Sequence, residues 1–154
     1  MFSTLTRASP AGGWRGGSGA GPGFHGTSAV QTHMTNSRMT DPEILEWRFP
    51  VRVERFAVCQ GSGGAGRWRG GDGTVRRLRF LEDVEVSLLG GRRSTSPHGL
   101  QGGESAAPGL NRWIRSEGDV IVLGACARFQ AAAGDALEIC TPGGGGFGDV
   151  ISSM

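Results

Sequence analysis

GPGFHGTSAVQTHMTNSRMTDPEILEWRFP, residues 21–50, contains two of the chain's three histidines, a run of small hydroxyl and amide side chains, and its one convincing helix start. Thr40 or Asp41 caps, Pro42 suits an early helical position, and Glu43 stands three after Thr40, the spacing of a capping box. The predicted helix runs from Pro42 to about Trp47, with Ile44, Leu45 and Trp47 as apolar contacts. Arg48-Phe49-Pro50 closes it, because the residue before a proline is pushed out of the helical region.

Downstream the pattern is alternating. Val51 to Val58 reads as a strand with a flaw: Val51 and Val53 share one parity, Phe56 and Val58 the other. A bulge near Glu54-Arg55 brings all four onto one face. Val75 to Leu81, with Leu78 and Phe80 inward and Arg77 and Arg79 outward, and Val84 to Leu89, with Val84, Val86 and Leu88 inward, predict a hairpin around Leu81-Glu82-Asp83. Further strands are expected near Asn111–Arg115, Val120–Leu123, Ala125–Ala131 and Ala136–Cys140. Ser116-Glu117-Gly118-Asp119 and Gly134-Asp135 supply turns. Long glycine-rich loops fill Gly61–Gly73 and Gly90–Gly109. One helix and about seven short strands without helical crossovers predict a mainly β fold, an antiparallel sandwich or partial barrel. Residues 1–15 show no period and read as a loose lead, residues 16–149 as the folded segment, and residues 150–154 as a tail.

Composition narrows the chemistry. The 29 glycines and 7 prolines approach the level of low-complexity chains, but 37% of residues are hydrophobic and fall in alternating blocks, so the glycines serve turns and close backbone approaches. All 16 basic residues are arginine. Without lysine there is no phosphate loop ending in Gly-Lys-Ser/Thr and no lysine base or Schiff base, whereas arginine clamps on carboxylate or phosphate remain available. A net charge of +2 is too balanced for a dedicated nucleic-acid binder. No apolar run approaches membrane-spanning length. Cys59, Cys126 and Cys140 lie in apolar strand contexts and read as buried free thiols of a reducing compartment, the cytoplasm. Residues 1–40 carry Arg7, Arg15 and Arg38 and no acid, like an organelle transit peptide, but Gly12-Gly13 and Gly16-Gly17 spoil an amphipathic helix there.

Several motifs fail on context. Gly61-Ser62-Gly63-Gly64-Ala65-Gly66 satisfies G-x-G-x-x-G after a strand, yet Arg67-Trp68-Arg69-Gly70-Gly71 follows instead of the helix a dinucleotide needs, and Gly143 to Gly148 shares the pattern near the chain's end. The alternatives are structural glycine loops or backbone amides lining an anion pocket. Arg15-Gly16-Gly17 and Arg69-Gly70-Gly71 resemble RNA-binding repeats but do not make a tract. His25, His33 and His98 lack metal-ligand spacing. His33, Asn36 and Arg38, with Thr35 and Ser37, bring acid-base, amide and guanidinium groups together just before the helix, a lining suited to a carboxylate-bearing substrate.

An ordered series of motifs resembles the C-terminal part of the hydantoinase B/oxoprolinase family, its oxoprolinase branch most closely. The pieces are G-A-G-P-x-F-H-G-T-S (Gly19 to Ser28), T-H-M-T-N-S-R-x-T-D-P-E-I-L-E (Thr32 to Glu46), R-F-P-V (Arg48 to Val51) and G-S-G-G-x-G-R-x-R-G-G-D-G (Gly61 to Gly73). R-R-x-x-x-P-x-G-L-x-G-G (Arg92 to Gly103), P-G-x-N (Pro108 to Asn111) and T-P-G-G-G-G-F-G-D (Thr141 to Asp149) complete it.

The resemblance implies an ATP-dependent opening of a cyclic amide, such as 5-oxo-L-proline to L-glutamate in glutathione metabolism, or of a hydantoin. It implies no cofactor in this chain. ATP with magnesium would sit on a hydantoinase A-like ATPase half, and the metal-binding residues upstream. The implied partner is that half or the remainder of an oxoprolinase, oligomeric when complete, with neither nucleic acid nor membrane involved. Substrate-side contacts are expected from His33, Asn36 and Arg38, and an oxyanion or phosphate cradle from the amides of Gly143, Gly144, Gly145 and Gly146. Where members of the family it resembles typically have T-H-T-H or V-H-T-H ahead of M-T-N, this chain has Val30-Gln31-Thr32-His33, so one histidine position holds glutamine. The chain alone is expected to be a fragment without turnover. The rival expectation is a non-catalytic binding or assembly module.

Overall fold

The computed structural model describes residues 3–5, 15–31 and 40–150. Among these, the chain runs β1 (Ser3–Leu5), α1 (Pro42–Arg48), β2 (Val51–Val58), β3 (Thr74–Phe80), β4 (Val84–Leu89), β5 (Leu110–Ile114), β6 (Val120–Leu123), β7 (Cys126–Ala131) and β8 (Ala136–Cys140). The strands form a three-stranded sheet of order β1-β4-β7 and a five-stranded sheet of order β2-β3-β8-β5-β6. Every pairing is antiparallel except β1 with β4. This is the mainly β architecture with one short helix that the alternating pattern predicts, as a two-sheet arrangement without a closed barrel. The loose lead expected over residues 1–15 contains β1, which runs parallel to β4.

Two sheets must bury one face each, and the core lies between them. Val51, Phe80, Leu137 and Ile139 from the large sheet meet Val84, Val86 and Ala131 from the small one. Trp113 of β5 stacks on Phe129 of β7, ring centroids 4.4 Å apart. Leu45 of α1 is fully buried in the same cluster. A helix of seven residues is unstable by itself in water, so α1 depends on that anchor and on its cap. Asp41, not Thr40, performs the capping: its Oδ1 accepts from the Glu43 amide at 3.0 Å.

Two expectations about the strands need correction, the β3–β4 hairpin and the buried thiols, and a third, the bulge, holds. The β3–β4 hairpin does not form: β3 pairs with β2 and β8, while β4 crosses to the other sheet and pairs with β1 and β7. Alternation identifies the inward residues correctly but not which strand lies alongside, and Leu81-Glu82-Asp83 is a corner between sheets. The bulge in β2 is present, a register shift between Val53 and Arg55. It puts Phe56 and Val58 on the core side, yet they stay 44% and 40% exposed because the core ends at Val53. Of the three free thiols, none is fully buried: Cys126 is exposed, and Cys59 and Cys140 are half-buried.

Candidate functional site

Glycine runs leave the backbone bare, and here bare backbone packs on bare backbone. Residues 143–148 thread between three other segments. Gly17 donates to the Pro142 carbonyl at 3.2 Å and Ala20 to that of Gly145 at 2.9 Å. Gly144 donates to Gly71, and Gly64 donates to Gly144, both at 2.9 Å. On the third side Gly146 donates to Glu104 at 3.0 Å and Leu100 to Gly146 at 2.9 Å. Residues 24–30 pack behind the first two segments through Ser18 to Thr27 (3.0 Å) and Gly26 to Arg69 (2.8 Å). The spacing excludes side chains. A Cβ at Gly70 would lie 1.8 Å from the Gly144 oxygen, and one at Gly144 1.8 Å from the Ser18 oxygen, so only glycine fits these positions.

Side chains lock the bundle. Asp72 Oδ1 accepts the Gly63 amide at 2.7 Å, and the Asp72 amide donates to Ser28 Oγ at 2.8 Å. His25 Nδ1 accepts the Arg69 amide at 2.9 Å, the structural role that a lone histidine usually has. Thr141 Oγ1 donates to the Arg15 carbonyl at 2.7 Å and accepts the Thr74 amide at 2.7 Å, tying the bundle to the start of β3.

Next to the bundle, the outer face of the large sheet carries an ion-pair ladder. Glu138 of β8 is buried. Its Oε2 accepts from Arg77 of β3 (Nε 3.0 Å, Nη2 2.7 Å), and its Oε1 from Arg112 of β5 (2.8 Å). Burial alone would raise its pKa, but the hydrogen bonds from Arg77 and Arg112 outweigh it and hold the carboxyl below the usual range. Beside the ladder opens a cleft of about 670 Å³ lined by Arg55, Ala57, Val75, Leu110, Cys140 and other residues. Burial pushes the Cys140 thiol up to about 11. At the far end of the sheet, buried Asp135 accepts from Trp113 Nε1 (2.8 Å) and the amides of Ser116 (2.8 Å) and Ala132 (3.1 Å). Arg76, on the core side of β3, is almost fully buried, and desolvation lowers its pKa.

The sequence-predicted site residues separate into two groups. His33, Asn36 and Arg38 lie outside the described residues; their segment follows Gln31 and leads through Thr40 into α1. Gly143, Gly144, Gly145 and Gly146 are buried in the bundle. The amides of Gly143, Gly144 and Gly146 already donate to Ala107, Gly71 and Glu104, so an anion there would compete with these bonds. In the Gly61–Gly66 loop the amides of Ser62, Gly63 and Gly64 are likewise engaged, with Cys59, Asp72 and Gly144. Among the described residues no group of three or more His, Cys, Asp or Glu is placed to hold a metal ion. Sequence reasoning misses Glu138 and Asp135. For Glu138 a signal exists, a lone charge inside the apolar strand ALEIC; Asp135 is indistinguishable from an ordinary turn aspartate.

The sequence matches the hydantoinase B/oxoprolinase description over residues 8–150. The chain belongs to the hydantoinase B/oxoprolinase family. Within it, the chain is 51% identical over 139 residues to 5-oxoprolinase of Dictyostelium discoideum, covering 90% of this chain and 11% of that protein. It is 52% identical over 136 residues to 5-oxoprolinase 1 of Arabidopsis thaliana, covering 88% of this chain and 11% of that one. The chain thus spans about a ninth of the length of the oxoprolinases it matches. The fold resembles the ATP-dependent caprolactamase of Pseudomonas jessenii, with a TM-score of 0.71 and 28% identity over 88% of this chain and 24% of that one. It also shares its fold with an acetone carboxylase, at a TM-score of 0.73 over 87% of this chain and 22% of that one. Among the described residues no helix is long and apolar enough to cross a membrane.

Proposed function

We propose that this chain is the C-terminal, glycine-bundled segment of an ATP-dependent cyclic-amide hydrolase of the 5-oxoprolinase kind, which opens 5-oxo-L-proline to L-glutamate. The observation that carries the reading is the half-identity to two 5-oxoprolinases along nearly the whole chain. The likeness to an ATP-dependent caprolactamase supports it, since a lactam ring is opened there too.

In this reading the bundle and the two-sheet core form a stiff wall. The segment with His33, Asn36 and Arg38, which lies between Gln31 and Thr40 in the sequence, would line the substrate side. The Arg38 guanidinium would hold the substrate carboxylate, a pairing suited to its planar fork. Asn36 would hydrogen-bond the ring amide, and His33 would hold or move a proton at the amide as the ring opens. ATP supplies the driving force in such enzymes. Among the described residues the amides of Gly63, Gly64, Gly143, Gly144 and Gly146 already donate within the chain, and no group of three or more His, Cys, Asp or Glu is placed to hold a metal, so these residues offer ATP or a metal no ready-made site. Both groups are therefore assigned to the rest of the protein, a hydantoinase A-like ATPase half included. A reducing, cytoplasmic setting suits free thiols, and the glutamate product would feed glutathione metabolism.

The test is a full-length Dictyostelium 5-oxoprolinase in which residues of this chain replace the aligned 139. Arg38→Ala and Asn36→Ala in that chimera should raise KM for 5-oxo-L-proline, and His33→Ala should lower kcat. The isolated chain should release no glutamate. Unchanged kinetics in all three variants would remove these residues from the site, and turnover by the isolated chain would contradict the division of labour.

A further inference from the structure

The two sheets differ on their outer faces. On the small sheet the register places Glu85, Ser87, Arg128 and Gln130 outward, with Glu85 bonded to Arg128. That is the polar alternation of a face turned to water. On the large sheet the outward positions of the last strand, β6, are Val120 and Val122, 54% and 66% exposed. Its four residues are Val-Ile-Val-Leu, apolar on both sides, and such strands are those covered on both sides.

The same face continues through Leu110 and Val75 to Ala57, where the 670 Å³ cleft opens. It is also positively charged. Arg55, Arg77, Arg79 and Arg112 outnumber Glu54 and Glu138, and among the described residues Arg55 pairs with no acid.

We infer that the outer face of the five-stranded sheet is an interface, covered by polypeptide from the remaining eight-ninths of an oxoprolinase-length protein. The occupant is apolar where it meets Val120, Val122 and the cleft floor, and it carries a carboxylate opposite Arg55. The inference rests on the oxoprolinase reading. Three observations select this occupant over a small ligand or a second copy. The matched relatives extend far beyond this segment. The exposed valines of β6, Val120 and Val122, lie outside the cleft, so the apolar surface is not confined to it. The surplus of guanidinium groups disfavours the same face of another copy, which would oppose like charges.

The experiment uses Val122→Cys in the 154-residue chain, and a cysteine at the aligned position of full-length Dictyostelium 5-oxoprolinase. Maleimide labelling of that cysteine alone is followed by peptide mass spectrometry. The isolated chain should label rapidly, and at the same rate on dilution. The full-length protein should label on the order of a hundredfold more slowly until urea unfolds it. Equal labelling in both native proteins would overturn the inference, as would shielding in the isolated chain that is lost on dilution, which would assign the face to a second copy. Arg55→Glu and its aligned counterpart give a further reading: faster labelling in the full-length protein is expected, and no change would remove the carboxylate from the interface. Shielding together with an inactive chimera would sink the functional reading and leave the interface standing. Rapid labelling in an enzyme that turns over would do the reverse.

Discussion

Asp135 accepts the indole N–H of Trp113 at 2.8 Å, from a turn twenty-two residues further along the chain. The same carboxylate takes the amides of Ser116 and Ala132, so one buried charge ties the turn before β8 to β5, to the start of the β5–β6 connection and to the residue that follows β7. Burial works against that charge, but the three donors overcome it and its pKa falls below the ordinary value. A folded pKa below the unfolded one stabilises the protein at pH above the unfolded value, about 3.9 for aspartate, and that stability is lost as pH falls through the folded value. Glu138 has the same sign. Denaturation midpoints should therefore be insensitive to these groups from about pH 5 to 7 and fall below about pH 4.5. Asp135→Asn keeps an acceptor but loses the charge; it should cost about 1–3 kcal/mol at pH 7 and flatten the acid slope, as followed by urea melts.

Glu138→Gln tests the ladder. Breaking a fully buried ion pair costs about 3–5 kcal/mol because a charge is stranded. Here the stranded groups would be Arg77 and Arg112, whose side chains are 36% and 40% exposed and recover water. The expected loss is accordingly about 1–2 kcal/mol, measured by the same melts. A loss near 5 kcal/mol would show that the guanidiniums cannot rehydrate.

Gly70→Ala and Gly91→Ala separate bundle glycines from loop glycines. At Gly70 the new Cβ meets the Gly144 oxygen, a backbone atom that no rotamer can move, and the bundle must open. The loss should exceed about 3 kcal/mol. At Gly91 a Cβ meets nothing within 4 Å and φ is not in the left-handed region, so the change should be neutral or stabilising by about 0.4–1 kcal/mol.

The thiols should react in a set order. Cys126 is exposed and should alkylate first at pH 8. Cys140, half-buried with its pKa pushed up to about 11, holds about one thiolate in a thousand at that pH and should be last. Peptide mass spectrometry over an iodoacetamide time course reads the order directly.

What the sequence reveals depends on the range of the interaction. The cap at Asp41, the helix and the bulge after Val53 are local, and residues 40–58 specify them. Inward parity at Leu78, Phe80, Val84 and Val86 is local as well. Partner choice is not: Val84 lies opposite Ala131, and nothing in either strand's alternation names the other. The bundle is the least legible part. Its bonds join Gly17 to Pro142 and Ser18 to Gly71, and a glycine has no side chain to announce what it touches. Glycine runs that resemble separate loops, or phosphate loops, are one packed object because each lets the next approach.

In the function proposed above, these residues supply the bundled wall of an oxoprolinase-type active site whose energy source lies elsewhere in the protein. The most direct measurement is the initial rate of ATP-dependent L-glutamate release from 5-oxo-L-proline by the full-length chimera. The account predicts a rate within roughly tenfold of the Dictyostelium parent, a difference of at most about 1.4 kcal/mol in the barrier. A chimera that folds and hydrolyses ATP yet releases no glutamate would contradict it.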